Sequence, residues 1–410
     1  MYDICVIGCG RVGLPLALSL REKKLNVCGV DINDEMIEGI KNNKMPFYEP
    51  GYDELVKETF TIYNSKYENY PDAKAYILTV GTPLGEHIET DLSQVTFVIN
   101  DLISKIDIKN KLIILRSTVA PNTTEYIKNI IENKTNYILG KDFYLAMCPE
   151  RIVEGEAYKE LLELPQVIGT EDEKSFDLAK NIFSILGIQI FKSTFIEAEL
   201  SKLFTNIYRY INMAIPNYFS YMSQSFGVDI YKLFSLMNPG YDRNKGLLTP
   251  GFAKGTCLTK DWGMINENFP QTDLILQAYK INEFTPKFYV DLIQNDIKNK
   301  TIGIFGFTFK SNTDDTRDNL TPKLIRYLER NLPEQIKINE PNLPLGEYND
   351  KYNNMIFINY SIEEVKQCDI IIIAINHKEY LTFTKEEFND KIVIDGWNIL
   401  KENLYNNWRN

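Results

Sequence analysis

The chain has 410 residues, 44% of them hydrophobic and 25% charged, and its 45 basic against 56 acidic side chains leave a net charge of −11. This length exceeds what one core fills and predicts two or three domains at roughly 150 residues each. The acidic balance argues against nucleic acid or an anionic membrane as a partner, while helix N-termini and a few local cations still suit an anionic ligand.

No basic leader precedes the first apolar segment, and no apolar run approaches the roughly 20 residues of a membrane span, so the expectation is a cytoplasmic protein. The six cysteines, Cys5, Cys9, Cys28, Cys148, Cys257 and Cys368, are scattered without metal-ligand spacing, which predicts reduced thiols and no metal site. His87 and His377 are the only histidines, so acid–base chemistry falls to lysine and carboxylates.

Tyr2 to Ile7 reads as a buried parallel strand, and Gly8-Cys9-Gly10-Arg11-Val12-Gly13 after it fits G-x-G-x-x-G. Leu14 to Arg21 then reads as a helix. A second strand, Leu25 to Val30, ends in Asp31, 21 residues after Gly10. A carboxylate there accepts bonds from a ribose hydroxyl and repels a 2′-phosphate, which predicts NAD over NADP. The alternative is a glycine-rich turn whose acid caps the next helix.

Asn43 to Tyr52 reads as a loop-like insertion. Strands are predicted at Ala75 to Val80, Leu112 to Leu115 and Tyr144 to Met147, and Asp91-Leu92-Ser93 starts a helix. The strands end in Gly81-Thr82-Pro83, Ser117-Thr118-Val119 and Cys148-Pro149-Glu150-Arg151 respectively, at the strand ends where an open α/β sheet binds its ligand. Val167 to Thr170 is expected to end the first sheet. A helix follows from Glu171 to Leu186, closed by Gly187.

From Ile196 to Phe226 the pattern is helical, with Leu200, Leu203, Ile207, Tyr210 and Ala214 on one face and a kink expected at Pro216. This length suits a helix that joins domains or packs on a partner subunit. Lys202, Asn206, Arg209 and Met213 form another stripe, either a solvated polar face or a functional one. Ile230 to Met237 is a further helix.

Gly251-Phe252-Ala253-Lys254-Gly255-Thr256-Cys257-Leu258-Thr259-Lys260-Asp261 reads as a glycine-flanked loop. Its cysteine is either a half-buried small hydrophobe or a thiolate nucleophile beside a cation. Lys280 to Asn295 is helical. Thr301 to Phe305 opens a second parallel sheet, with further strands at Ile336 to Asn339, Ile370 to Ile375 and Ile392 to Ile394, and a helix at Thr321 to Arg330. Its first turn lacks G-x-G-x-x-G, which predicts a ligand other than a dinucleotide. Lys310 and Arg317 are natural partners for phosphate.

Seven of these motifs in one order resemble the nucleotide-sugar 6-dehydrogenase family, which includes the UDP-glucose, GDP-mannose and UDP-N-acetylmannosamine dehydrogenases. They are Gly8-x-Gly10-x-x-Gly13, Gly81-Thr82-Pro83, Ser117-Thr118-Val119, Pro149-Glu150-Arg151, Lys202 with Asn206, Gly255-x-Cys257-x-x-Lys260-Asp261, and Phe309-Lys310-x-x-Thr313-Asp314-Asp315-x-Arg317. The resemblance implies an α/β fold of two Rossmann-like doubly wound parallel-sheet domains joined by a long central helix and a small helical region. The implied divisions are 1–190 for NAD, 191–295 for the central dimerisation region with the cysteine, and 296–410 for the nucleotide sugar.

By the same resemblance the enzyme oxidises a sugar C6 alcohol to a carboxylate for polysaccharide biosynthesis, using two NAD⁺ per substrate. Gly8, Gly10, Arg11, Val12, Gly13, Asp31, Thr82, Pro83 and Thr118 are implied to hold the cofactor. Lys202, Asp261 and a water assist loss of the alcohol proton, Cys257 attacks the aldehyde, and Lys202 with Asn206 stabilises the oxyanion. Glu150, with Thr118, activates the hydrolytic water. Glu150, Arg151, Lys202, Asn206, Arg209, Arg243, Gly255, Phe309, Lys310 and Arg317 are implied to meet the substrate. Pro149-Glu150-Arg151 and Tyr208-Arg209-Tyr210-Ile211-Asn212 look more like the N-acetylhexosamine branch, with Arg151 and Arg209 facing an acetamido group or a phosphate. UDP-glucose and GDP-mannose are the alternatives within the family, and the long helix implies a homodimer. The chain departs from the family pattern before Cys257, at Asp318-Asn319, and at Trp397, where arginine is common. A one-step hydroxyacid-type dehydrogenase and a non-catalytic NAD-sensing scaffold are the readings outside the family.

Overall fold

The structure is a computed structural model. It describes residues 1–408 apart from 59, 67, 86–88, 267, 268 and 270, and at Thr256 it describes the backbone only, so His87 lies outside the described residues. The chain divides into two compact units, Met1–Thr205 with Lys260–Gln271, and Asn206–Thr259 with Thr272–Asn410.

In chain order the first unit carries β1 (Tyr2–Ile7), α1 (Gly13–Glu22), β2 (Val27–Asp31), α2 (Asp34–Lys41), α3 (Asp53–Lys57), β3 (Ile62–Asn64), β4 (Ala73–Leu78) and α4 (Ser93–Lys105). There follow β5 (Leu112–Leu115), α5 (Thr123–Thr135), β6 (Tyr144–Met147), α6 (Ala157–Glu163), β7 (Gln166–Gly169), α7 (Glu173–Phe183) and β8 (Ile190–Ser193). The sheet order is β3-β2-β1-β4-β5-β6-β7-β8. Its first six positions run 3-2-1-4-5-6, the doubly wound order whose reversal between β1 and β4 opens a ligand crevice at the strand carboxyl ends.

These strands are apolar on both faces because helices cover both. Ile4, Val6 and Ile114 pack into one core, while Cys5, Ile7, Ile113 and Leu115 pack into the other. Alternate residues of one strand point to opposite sides of the sheet, so both sides demand apolar side chains. The sequence expectation that Val167 to Thr170 ends this sheet is corrected: β8 pairs parallel to β7 beyond it. It is an edge strand with Phe191 46% exposed, so hydrophobicity does not betray it.

α8 (Phe195–Ser225) has 31 residues and runs without interruption through Pro216. Leu203, Tyr210 and Ala214 on its predicted core face are buried. The second unit continues with α9 (Ile230–Met237), α10 (Thr256–Asn266), α11 (Asp273–Ile293), β9 (Thr301–Phe305), α12 (Thr321–Glu329), β10 (Gln335–Asn339), β11 (Gly346–Asp350) and β12 (Met355–Asn359). It ends with α13 (Ile362–Lys366), β13 (Ile370–Ile373), β14 (Ile392–Asp395) and β15 (Tyr405–Asn407). The second half of α10 belongs to the first unit.

The second sheet runs β11-β12-β10-β9-β13-β14-β15. Its centre is parallel, but β11 pairs antiparallel to β12 and β15 antiparallel to β14. The expected doubly wound sheets are both parallel-dominated, with antiparallel pairs at these edges and between β6 and β7 of the first. The added edge strands are short and polar (Gly-Glu-Tyr-Asn-Asp, Tyr-Asn-Asn), a composition that pairing rather than propensity turns into strand. Ile370 and Ile372 face one core, Ile371 and Ile373 the other.

Candidate active site

The turn after β1 meets the geometric demands of a dinucleotide. Gly8 sits at φ +94°, a region closed to most side chains. A Cβ on Gly13 would overlap the Gly8 carbonyl oxygen and Thr79 Oγ1, so only glycine lets α1 close onto the strand. A Cβ on Gly10 would meet nothing within 4 Å, which leaves that face of the turn open to a ligand. Val12 is the N-cap of α1, with no side-chain hydrogen bond to the helix. Asp31 Oδ2 accepts from Cys9 N at 2.6 Å, and Oδ1 from Ile32 N and Asn33 N at 2.7 and 2.8 Å. The carboxylate is thereby fixed against the turn with lone pairs left for ribose hydroxyls. These residues fit NAD.

The next two strand ends converge. Thr82 Oγ1 donates to Thr118 O at 2.5 Å, and Lys260 Nζ donates to Thr82 Oγ1 at 3.0 Å. Lys260 Nζ lies 4.0 Å from Asp261 Oδ1, and Asp261 is wholly buried. Thr82, Thr118, Lys260 and Asp261 therefore form one cluster in the first unit, with Pro83 exposed beside it.

Glu150 is 6% exposed and held on both oxygens. Oε1 accepts from Arg151 N and Ile152 N at 2.6 and 2.7 Å, and Oε2 pairs with Arg116 Nη2 at 2.5 Å. Arg116 is itself buried, donates to Gln166 Oε1 at 2.9 Å, and lies 5.2 Å from the Phe183 ring centroid. Sequence reasoning missed it, although an arginine closing the apolar strand Leu112–Leu115 is a signal. The Arg151 side chain donates to Pro165 O, and burial pushes its pKa down. Glu154 was also missed. It lies 3.7 Å from Arg11 Nη1, whose guanidinium stands 5.1 Å from the Phe47 centroid, so the insertion at Asn43 to Tyr52 and the Glu150 segment meet beside the dinucleotide turn.

On α8, Lys202 is 8% exposed and Asn206, one turn on, 2%. A solvated polar face is excluded for this pair. Among the described residues no hydrogen bond or ion pair engages the Lys202 ammonium. Arg209 and Arg243 are exposed, the latter donating to Tyr241 OH at 3.0 Å.

Cys257 is corrected from loop to helix, because it lies in the first turn of α10. Leu258, Trp262 and Ile265 recur on the buried face at helical spacing, which outweighs the glycines ahead of them. Of the six cysteines, none in a disulfide, Cys257 alone is exposed. Asp261 follows it by one helical turn. Gly255 is at φ +131°, and a Cβ there would lie 2.8 Å from the Phe309 ring.

In the second unit Arg317 chelates Asp315, with Nε at 2.9 and 3.0 Å and Nη2 at 2.6 Å, while Lys310 Nζ donates to Ser311 O at 3.0 Å. Glu340, just after β10, corresponds to Asp31 at the end of β2, but it is fully buried. Its Oε2 accepts from Phe307 N (2.8 Å) and Thr308 N (3.0 Å) and pairs with His377 Nε2 (3.0 Å). Burial opposes its charge, but His377 and the two amides outweigh that and hold its pKa low. Asn312 N donates to His377 Nδ1 at 3.1 Å, so the imidazole pins the loop that carries Lys310. This acid is a structural clasp closed to a ribose, in keeping with a ligand other than a dinucleotide.

Three profiles of the UDP-glucose/GDP-mannose dehydrogenase family match the chain: the NAD binding domain at residues 2–187, the central domain at 196–283 and the UDP binding domain at 303–402. The UDP-N-acetyl-D-mannosamine dehydrogenase of Methanococcus vannielii is 32% identical over 98% of this chain and 94% of that protein. The one from Methanocaldococcus jannaschii is 34% identical over 98% and 93%. The solved UDP-D-ManNAc dehydrogenase from Pyrococcus horikoshii superimposes with a TM-score of 0.83 at 29% identity, covering 98% and 96% of the two chains. With the dinucleotide turn, Asp31 and three family domains in sequence, the chain belongs to the UDP-glucose/GDP-mannose dehydrogenase family and is an NAD-dependent oxidoreductase.

Proposed function

We propose that this enzyme oxidises the C6 alcohol of a UDP-N-acetylhexosamine, of the N-acetylmannosamine type, to the uronate. The relatives at 32–34% identity over 98% of the chain support this sugar. UDP-glucose and GDP-mannose are the alternatives. The observation that carries the chemistry is Lys202, a buried ammonium with no partner among the described residues, one turn from a buried Asn206. Burying a lone cation is costly, and such groups mark functional sites.

The Gly8–Gly13 turn and Asp31 hold NAD⁺, which when bound supplies one chemistry, acceptance of a hydride, twice per substrate. Lys202 and Asp261, through a water, take the proton from the C6 hydroxyl as the carbon is oxidised to the aldehyde. An aldehyde gives up hydride poorly until a nucleophile makes it tetrahedral. Cys257, exposed in the first turn of α10, adds through sulfur to C6, and Lys202 with Asn206 binds the resulting alkoxide. A donor of this kind contributes about 3 kcal/mol. Loss of the second hydride leaves a thioester on Cys257. Glu150, with Thr118, orients the water that displaces the thiolate and releases the carboxylate.

Lys310 and Arg317 bind the diphosphate, Arg317 exchanging part of its Asp315 contact for the ligand. Arg151 and Arg209 meet the acetamido or phosphate end. We also infer a homodimer through α8, where Phe204 (57%), Tyr208 (69%), Tyr218 (49%) and Met222 (44%) are exposed along one stripe at three- and four-residue spacing completed by Ile211 and Ile215. The reduced, unbridged cysteines favour the cytoplasm. No described helix is long and apolar enough to cross a membrane.

The test is turnover of a panel of UDP- and GDP-sugars with NAD⁺, counting NADH per sugar. Two NADH from UDP-N-acetylmannosamine is the expected result. One NADH per sugar would refute the Cys257 thioester, and preference for UDP-glucose would move the substrate.

A further inference from the structure

The strap that leads into α10 is held at every turn within the second unit. Gly251 N donates to Asn217 Oδ1 at 2.9 Å, and Asn217 Nδ2 donates back to Gly251 O at 3.0 Å. Phe252 stacks on Tyr289, with centroids 5.3 Å apart and planes at 24°. Gly255 rests on Phe309. The one charged side chain of the strap, Lys254, turns inward and is 10% exposed. Its ammonium donates to Glu283 Oε1 on α11, lies 3.3 Å from Asp318 Oδ1, and sits 5.3 Å from the Tyr279 centroid. Glu283 is in turn anchored by Lys323 of α12, whose Nζ donates to Oε2 at 2.6 Å and to the main-chain oxygen at 2.7 Å. Asp318 adopts a left-handed backbone, φ 47°, directly after Arg317.

Burying an ion pair stabilises a fold weakly or not at all, and the better attested use of such a pair is to specify one arrangement among several. The strap needs such a device. Its glycines leave the backbone free to wander, and a nucleophile misplaced by an ångström loses much of its rate. The two carboxylates reached by Lys254 belong to α11 and to the loop that also carries Phe309, Lys310 and Arg317.

We propose that Lys254 is a positioning residue for Cys257, locking the strap to Glu283 and Asp318 so that the first turn of α10 is held in register with the Phe309–Arg317 loop. This inference rests on Cys257 being the nucleophile. Burial alone would lower the lysine's pKa, yet Asp318 and Glu283 raise it, so the clamp stays charged across the working range.

The test compares Lys254→Met, Asp318→Asn and the double variant in the full chain. As Cys257 is the one exposed cysteine, the rate of alkylation by iodoacetamide without substrate reports on it directly. Lys254→Met is expected to speed labelling about threefold and to lower kcat about tenfold, with NAD⁺ affinity within about twofold of the parent. Asp318→Asn shifts labelling and kcat in the same directions by less. The double variant is no worse than Lys254→Met, because both remove one clamp. Unchanged labelling and kcat in Lys254→Met, or additive losses in the double variant, would overturn the proposal. If Lys254→Met fails to fold, Asp318→Asn decides, and parental labelling with parental kcat in that variant refutes the clamp. Labelling needs no turnover, so a wild-type ratio of one NADH per sugar would remove the nucleophile reading while leaving the mechanical clamp separately measured.

Discussion

Gly10 and Gly13 occupy the same turn, yet alanine at each should act in opposite directions on stability. A methyl group on Gly13 would overlap the Gly8 carbonyl oxygen and Thr79 Oγ1, both pinned by the sheet. Overpacking of this kind costs about 1–3 kcal/mol, and at roughly 2–4 °C per kcal/mol for a unit of this size Tm falls by roughly 2–12 °C. Gly10 has no atom within 4 Å of the added carbon and is not among the positive-φ glycines. Gly10→Ala should therefore leave stability unchanged or raise it by up to about 1 kcal/mol through loss of unfolded-state freedom. Its methyl would instead occupy the face along which a pyrophosphate approaches, so NAD⁺ affinity should fall by at least about tenfold, or 1.4 kcal/mol. Calorimetric titration with NAD⁺ and thermal melts of both variants without ligand separate the two effects. Gly10→Ala binding NAD⁺ within about twofold of the parent would show that this turn does not receive the dinucleotide.

Arg116→Met should destabilise the first unit by about 3–5 kcal/mol in denaturant titration, because it strands the buried Glu150 carboxylate. Adding Glu150→Gln should recover part of that loss, and no recovery would show that the pair is not coupled. The pKa of Glu340 is held low, so its contribution to stability is present above the unfolded carboxylate value of about 4.3 and is lost as pH falls through its lower folded value. Melts between neutral pH and pH 3 should show Glu340→Gln with a shallower acid decline than the parent; parallel curves would refute this. Glutamate at Tyr218 and Met222 together should give a monomer by light scattering, whereas a parental mass would place any dimer contact elsewhere.

Much of the fold was legible because buried parallel strands are local apolar runs. Tyr2–Ile7, Leu112–Leu115, Tyr144–Met147 and Thr301–Phe305 lie where hydrophobicity alone puts them, and α9 matches to the residue. Those segments carry their own signal, since both faces of each strand meet helices. The edge strands β8, β11 and β15 carry no such signal. They are partly exposed, and backbone pairing to the adjacent strand, rather than apolar burial on both faces, makes them strands. Cys257 shows the same limit at the site. Gly251 and Gly255 suggest a loop, but burial of Leu258, Trp262 and Ile265 selects a helix.

By itself the sequence determined the dinucleotide turn, because G-x-G-x-x-G with Asp31 is a local backbone requirement written in glycines and one carboxylate. It also determined the order of motifs that marks the family. Only the tertiary structure decided the state of the charges. Spacing left Lys202 as either a solvated or a functional helical lysine, and it is buried. Arg116 escaped notice because its partner, Glu150, lies on another strand end, and Glu340 with His377 forms a clasp that no spacing predicts. Burial and pairing of ionisable groups depend on which distant segments fold over them, and that information resides in no single stretch of chain.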